Sequence, residues 1–126
     1  MSGWAAGAPP IAERVDDAHD VREEVEFFGR PRLFGCRHLP QGAVAGGLVV
    51  CSPILSDFGA NYRREVHLAR RLAAAGVAVQ RFHPRGMGHS DGDRQDLTMD
   101  TMVEDVATAV ERLRQDLEHD LHTAAA

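Results

Sequence analysis

Two stretches of the chain carry the hydrophobic repeat of amphipathic helices. Between residues 61 and 75, small or apolar side chains recur every three or four positions, and Gly76 follows as a helix-ending residue. A second repeat covers residues 99–117, and Thr101 and Glu104 are spaced as a capping box if this helix starts late. The pattern therefore predicts two long amphipathic helices.

Shorter apolar runs predict β-strands. Residues 48–51 are wholly apolar, which is typical of a strand covered on both faces of a parallel sheet. Residues 77–82 return to a strand pattern after the first helix, and a strand, a helix and a strand with short connections imply a right-handed crossover between parallel strands. Upstream, extended segments near residues 25–28 and 33–39 flank a turn at 29–31 and predict a hairpin.

Both ends of the chain lack a sustained hydrophobic period. Residues 1–21 mix glycine, alanine, proline and scattered charges, and we expect a flexible leader there. Residues 119–126 are predicted to be a frayed tail, which leaves 22–118 as the folded domain. The predicted fold class is α/β, with an N-terminal hairpin, parallel strands and two long amphipathic helices.

Composition and charge narrow the partners and the location. The 126 residues are 44% hydrophobic and 26% charged, as in one ordinary globular domain. The formal net charge is -5 and like charges form only short mixed runs, so we expect neither a nucleic-acid nor a membrane partner. No secretory signal or membrane span is recognisable, and Cys36 and Cys51 lie in apolar segments as reduced cysteines do. A cytoplasmic location is the resulting expectation.

One pentapeptide matches a catalytic pattern literally. Residues 88–92 read G-x-S-x-G, the nucleophile elbow of serine hydrolases. An elbow places its serine at a sharp turn between a strand and a helix, whereas residues 83–89 separate Ser90 from the preceding strand and the next helical pattern starts near Thr98. We therefore predict that Ser90 is not a nucleophile. A site formed by Ser90 with His83 or His89 is the alternative.

The longer motif R-G-x-G-x-S-x-G over residues 85–92 carries a family resemblance. The order of apolar strand, proline-containing loop, arginine-rich helix ending in Ala-Ala-Gly, strand, this loop and a long helix resembles the N-terminal half of α/β-hydrolases, over about residues 24–114. The similarity is greatest to bacterial serine-aminopeptidase-like and acyl-hydrolase members. It implies a structural loop beside the catalytic pocket, formed by Arg85, Gly86, Gly88, Ser90 and Gly92.

The resemblance also implies the position of an oxyanion hole. Family members place one backbone N–H donor in the loop that follows the first buried strand, which here is 52–57. By position the donor is the amide of Ile54, with Leu55 nearby. The family's common His-Gly pair is replaced by Ser-Pro in this loop, and its frequent aspartate is replaced by His83. An ordinary strand-to-helix connection is the alternative for this segment.

Two clusters of polar side chains contain residue types that bind metals. Neither cluster has a recognised ligand spacing. The glycines of 85–92 are not followed by the lysine of a phosphate-binding loop. We therefore predict no metal and no cofactor. The two clusters are His89, Asp91 and Asp93, and Glu118, His119, Asp120 and His122.

The expected function follows from the resemblance. In the family a serine, an acid and a histidine occur in that chain order, and the serine's strand is expected directly after the helix over 99–117, where the chain ends. We expect a subunit or fragment that contributes an oxyanion-side loop and a pocket wall to an ester, thioester or amide acyl hydrolase. Half a parallel sheet leaves an apolar edge bare, so the expected partner is a complementing hydrolase half or another copy of the chain. A non-catalytic oligomeric interaction module is the alternative.

Overall fold

A mixed sheet and two helices form the fold of the computed structural model, which describes residues 12–16, 21–51 and 56–125. A short 3-10 helix, Arg94–Asp96, precedes the second long helix. The strands are β1 Ala12–Asp16, β2 Val21–Phe28, β3 Leu33–Pro40, β4 Gly46–Cys51 and β5 Val77–Phe82. The helices are α1 Ser56–Ala74 and α2 Met99–Ala125.

The five-stranded sheet has the order β1-β2-β3-β5-β4. β1, β2, β3 and β5 pair antiparallel in turn, whereas β4 and β5 pair in parallel with Cys51 opposite Phe82. The antiparallel β2–β3 pair is the predicted hairpin, and β4, α1 and β5 form the predicted crossover. The α/β fold class read from the sequence is confirmed.

The two helices lie on opposite faces of the sheet. Successive strand residues point to opposite faces. On β2, Glu23 pairs with Arg70 of α1, while Glu26 pairs with Arg112 of α2. The core between the sheet and α2 contains two apolar clusters of buried residues: Phe28, Leu33, Phe82 and Ala109, and Leu39, Ala78 and Leu113.

The helix ends follow local chemistry. α1 ends at Ala74, and Gly76 adopts a φ of +101°, the left-handed conformation that helix-ending glycines supply. α2 begins at Met99 because Thr98 caps it: the N–H of Thr101 donates to Thr98 Oγ1 at 3.1 Å, and the N–H of Thr98 donates to Thr101 Oγ1 at 2.9 Å. Thr101 and Glu104 would form a capping box only in a helix that starts later; because α2 starts at Met99, both residues lie inside the helix.

Regular structure extends into both predicted tails. β1 lies inside residues 1–21, and α2 continues into residues 119–126. β1 is held by backbone pairing to β2 while its Val15 is 49% exposed, so it has no apolar period for a sequence pattern to reveal. The division of the chain into leader, domain and tail stays a prediction.

Candidate active-site edge

The ends of β4 and β5 bring the sequence-predicted loop to one edge of the sheet. Because the two strands are parallel, their carboxyl ends meet there, and residues 83–93 follow β5 directly. The β2–β3 turn reaches the same edge, since Gly35 pairs with Phe82. We call this region the carboxyl edge. In open α/β sheets it is the edge where ligands bind.

Two glycines allow the loop 83–93 to fold tightly. Gly86 has a φ of +84° and its backbone passes against the carbonyl of Asp93. Gly88 has a φ of +52° and lies on the ring of His83. A β-carbon at either position would collide with these neighbours, and the left-handed backbone disfavours other residues. Gly92, the third glycine of the motif, lies in the same loop beside Asp96.

Arg85 ties the loop to α2. Its backbone N–H donates to Asp105 Oδ2 at 2.8 Å, and its guanidinium donates to Asp105 Oδ1 at 2.9 Å and to Glu104 Oε2 at 2.9 Å. The hydrogen bonds from Asp105 raise the pKa of Arg85 above its ordinary value. Asp105 is only 1% exposed, so this contact fixes the start of the loop on the helix.

The hydroxyl of Ser90 is engaged with backbone groups on both sides. It donates to the carbonyl oxygen of His83 at 2.5 Å and accepts the N–H of Phe34 at 2.8 Å. A nucleophilic serine instead passes its one proton to a neighbouring base such as an imidazole. In this arrangement Ser90 joins the loop to β3.

His83 lies buried at the end of β5. Its Nδ1 accepts the N–H of His89 at 3.1 Å, so the ring proton is on Nε2. The ring packs 4.8 Å from the Phe34 ring and 5.7 Å from the His89 ring, centroid to centroid. Burial, followed by the nearby His89 and Arg81, lowers the pKa of His83 to about 4. The imidazole is therefore neutral at pH 7.

The two aspartates near Ser90 serve the loop itself. Asp91 accepts the N–H of Arg32 at 3.1 Å, and its own N–H donates to the carbonyl of Arg32 at 2.8 Å. Asp93 caps the short 3-10 helix by accepting the N–H of Gln95 at 2.9 Å. Among the described residues, no group of three or more histidine, cysteine, aspartate or glutamate side chains is placed to hold a metal ion.

The predicted oxyanion donor is not part of the described structure. Ile54 and Leu55 lie in residues 52–55, which fall between the described ranges. The neighbouring positions are described: Cys51 ends β4 at the carboxyl edge and α1 begins at Ser56. The assignment of Ile54 therefore stays a prediction.

A buried charged cluster lies between the sheet and α2, and sequence reasoning missed it. Arg37 Nη1 donates to Glu26 Oε1 at 2.7 Å, and Arg112 Nη2 donates to Glu26 Oε2 at 3.0 Å. Arg37 also bonds to Glu24 at 3.0 Å, and its Nε lies 3.2 Å from Asp116 Oδ2. Burial opposes the charge of Arg37, but the hydrogen bond and charge of Glu26 outweigh it and raise its pKa. We call these five residues the ionic cluster.

A second polar cluster lies on the α1 face. His38 is fully buried, with Nδ1 2.6 Å from Glu23 Oε2, while its Nε2 accepts a hydrogen bond from Arg81 Nε at 2.9 Å. Burial, followed by the charge of Arg81, lowers the pKa of His38 to about 4. Glu23 also accepts two hydrogen bonds from Arg70 of α1 at 3.0 Å. The sequence offers one signal for this cluster: acidic residues are grouped on one predicted strand and basic residues on the next. The structure pairs these two groups in register.

β4 is an edge strand of the described sheet and its residues are mostly exposed, so the expectation that both of its faces are covered is wrong. Leu48 is 42% exposed and Cys51 is exposed, because in the described structure β4 pairs with β5 alone. A groove of about 490 Å³ runs between β4 and α2. Its apolar lining consists of Val49, Val106, Val110, Leu113 and Leu117, with Leu48 at its border.

Comparison with known proteins gives one family. A family model described as serine aminopeptidase, S33, matches residues 47–123, which is more than half of the chain. The matched residues include α1, β5, the loop 83–93 and most of α2. None of the curated proteins compared with the chain matches it. Neither α1 nor α2, the long helices of the described part, is long and apolar enough to cross a membrane.

Proposed function

Since the chain belongs to the serine aminopeptidase S33 family of α/β-hydrolases, we propose that it supplies part of an acyl-hydrolase site for esters, thioesters or amides. Its contribution is one wall of the acyl pocket and the oxyanion-side loop. A second polypeptide contributes the serine, the acid and the histidine. These roles go beyond family membership and rest on the geometry of the carboxyl edge.

One observation carries the proposal: a braced loop stands at the end of β5, directly beside the open apolar edge of β4. A strand added in parallel beside β4 would end at the carboxyl edge, next to the loop 83–93. A nucleophile elbow at the end of that strand would face a wall already fixed by Arg85 and Ser90. The groove between β4 and α2 offers the added strand an apolar surface.

The proposed division of roles follows position in the fold. The amide of Ile54, with Leu55 nearby, donates to the oxyanion of the transition state, because the segment 52–55 directly follows β4 at the carboxyl edge. Arg85, Gly86, Gly88, Ser90 and Gly92 shape the wall and do not react. Neutral His83 supports this wall through its hydrogen bond from His89.

The open edge of β4 also favours a second candidate, a non-catalytic module that assembles with copies of itself or with another protein. Exposed sheet edges with apolar side chains pair readily with other chains. Cys36 and Cys51 form no disulfide in the described structure, which supports a reducing, cytoplasmic setting for either function.

The proposal is tested by complementation with a serine-directed fluorophosphonate probe. The chain is mixed with the C-terminal half of an S33-family hydrolase that begins at its nucleophile strand. We expect the probe to label the partner's serine only when both polypeptides are present. Labelling of Ser90 in the chain alone would instead establish the unorthodox site with His83 or His89. A stable complex that stays unlabelled would favour the non-catalytic module.

Two edge variants show whether β4 is the surface that the partner uses. Leu48→Asp places a charge on the β4 edge and should abolish labelling. Val15→Asp is the matched control, because Val15 is similarly exposed on β1 at the opposite edge of the sheet. Equal loss of labelling in both variants would contradict assembly through β4.

A further inference from the structure

A cavity of about 370 Å³ lies between the β2–β3 turn and the loop 83–93. Phe27 and Phe28 line it from the end of β2, Arg30 and Arg32 from the turn, and Asp91 from the loop. Its size falls in the range of small-molecule sites. None of these side chains has a role in the proposed acyl transfer.

The charged groups of this cavity leave a positive excess. Arg32 Nε lies 3.5 Å from Asp91 Oδ1, and these side chains are 59% and 46% exposed. Arg30 is exposed, and no other side chain of the described residues forms an ion pair with it. Two guanidinium groups therefore face one carboxylate, which favours an anionic ligand.

Phe27 supplies the aromatic surface of the cavity, because the Phe28 side chain points to the other face of β2 and packs in the core with Leu33 and Phe82. Phe27 is half-buried, and the guanidinium carbon of Arg32 lies 4.4 Å from the centroid of its ring. This cation–π contact favours a position of the guanidinium over the ring. An apolar floor beneath a cationic rim suits a ligand with an apolar body and an anionic head.

The two walls of the cavity are joined before any ligand arrives. The backbone N–H of Asp91 donates to the carbonyl of Arg32 at 2.8 Å, and the N–H of Arg32 donates to Asp91 Oδ2 at 3.1 Å. Ser90 adds the bond from Phe34 at 2.8 Å. A preformed site avoids the entropic cost of ordering loops on binding.

We propose that this cavity binds a small aromatic carboxylate. The carboxylate lies between Arg30 and Arg32, since guanidinium groups match carboxylate geometry. The aromatic body contacts the Phe27 ring. Binding here requires no reaction, so the proposal stands or falls independently of the acyl-hydrolase function.

The test is an NMR titration of the whole chain with 2-naphthoate and with its neutral analogue 2-naphthamide. We expect 2-naphthoate to shift the amide signals of the β2–β3 turn and of Asp91, and to bind about tenfold more tightly than 2-naphthamide. Equal affinity for the two compounds, or shifts confined to other residues, would overturn the proposal.

Two substitutions should change the affinity in opposite directions. Arg30→Gln should weaken 2-naphthoate binding about threefold, as expected for an exposed charge pair. Asp91→Asn should strengthen it, because the variant loses the competing negative charge while the amide oxygen can still accept the N–H of Arg32. The control is Arg63→Gln on α1, which should leave binding unchanged.

The opposite signs separate ligand recognition from damage to the fold. If each substitution instead weakened the loop, both variants would lose affinity for 2-naphthoate. Weakening in Asp91→Asn, or equal losses in Arg30→Gln and Arg63→Gln, would contradict the proposal. The amide spectra of the free variants report whether each remains folded.

Discussion

β5 has two neighbours of opposite character. On one side, β3 contributes Arg37 to the ionic cluster. The five charged residues of this cluster lie between the sheet and α2, and Glu26 is fully buried. On the other side, β4 presents Leu48, 42% exposed, beside an apolar groove. On the β3 side of β5 charged groups are buried, and on the β4 side apolar groups are exposed, which is the reverse of the usual arrangement.

The difference shows that a side of this sheet gains from a partner where its side chains lack neighbours in the described structure, whether they are polar or apolar. The buried charges of the ionic cluster pair with one another across β2, β3 and α2, although Arg37 Nε, two nitrogens of Arg112 and Asp116 Oδ2 form no hydrogen bond. The apolar groove has walls on β4 and α2 only, so its side chains gain further burial from an added strand. α2 spans both regions: Arg112 joins the ionic cluster and Leu113 lines the groove.

The largest expected effect comes from breaking the ionic cluster. Arg37→Met should lower the free energy of unfolding by about 3–5 kcal/mol, because Glu26 and Glu24 then remain buried with fewer cations. Urea unfolding followed by circular dichroism measures the change. Arg63→Met on the exposed side of α1 is the control, and a similar loss there would show that the cluster is not the cause.

A smaller loss is expected at the inner wall of the groove. Leu113 is 5% exposed and packs with Leu39 and Ala78, so Leu113→Ala should cost about 2–4 kcal/mol in urea unfolding. Val110→Ala, at a side chain 38% exposed in the same groove, should cost well under half as much. Equal costs would mean that the groove is uniformly closed.

Acid should weaken the polar face through His38. Its pKa of about 4 in the folded chain lies below the ordinary histidine value of 6.5, so the fold favours the neutral ring. The stabilisation is complete above pH 6.5 and declines as the pH falls towards 4, by an amount on the order of 3 kcal/mol. A proton added to His38 is repelled by the charges of Arg81 and Arg70, and the charge of Glu23 partly offsets this repulsion.

The acid prediction is checked by comparing unfolding curves between pH 7 and pH 4 for three chains. His38→Gln should flatten the pH dependence relative to the original chain, since its amide does not titrate. His67→Gln, at an exposed histidine of α1, should not. His83 titrates in the same range and supplies part of the remaining slope. An unchanged slope in His38→Gln would contradict the assignment.

The smallest effect on stability is expected at the open edge. Leu48→Lys should change the free energy of unfolding by less than about 0.5 kcal/mol, because the side chain makes few buried contacts. A large destabilisation would show that the edge is already covered in solution, and would remove the contrast between the two sides of β5.

The sequence pattern predicted the parts of this fold that have apolar periods. β4, β5 and the two long helices follow directly from such periods, as does the termination of α1 at Gly76. β1 has no apolar face, and it was missed. The ionic cluster was missed because Glu24 and Glu26 resemble a solvated charge run until β3 is placed beside them.

The candidate site was predictable to a similar extent. The motif 85–92 located the loop, but the role of Ser90 depends on Phe34 and His83, which tertiary structure alone brings together. The cavity at the β2–β3 turn has no sequence motif, since its walls come from segments far apart in the chain.

Two contacts limit how far this chain can be shortened without loss of the loop 83–93. They join Ser90 to Phe34 and Asp91 to Arg32. The residues in these contacts are separated by 56 and 59 positions in the chain. Phe34 and Arg32 lie outside the family match at 47–123. A chain shortened to the matched residues would lose the hairpin that holds the loop. The hairpin and the loop 83–93 therefore belong to one structural unit, and because their contacts close a long stretch of chain, they carry a high entropic cost in folding.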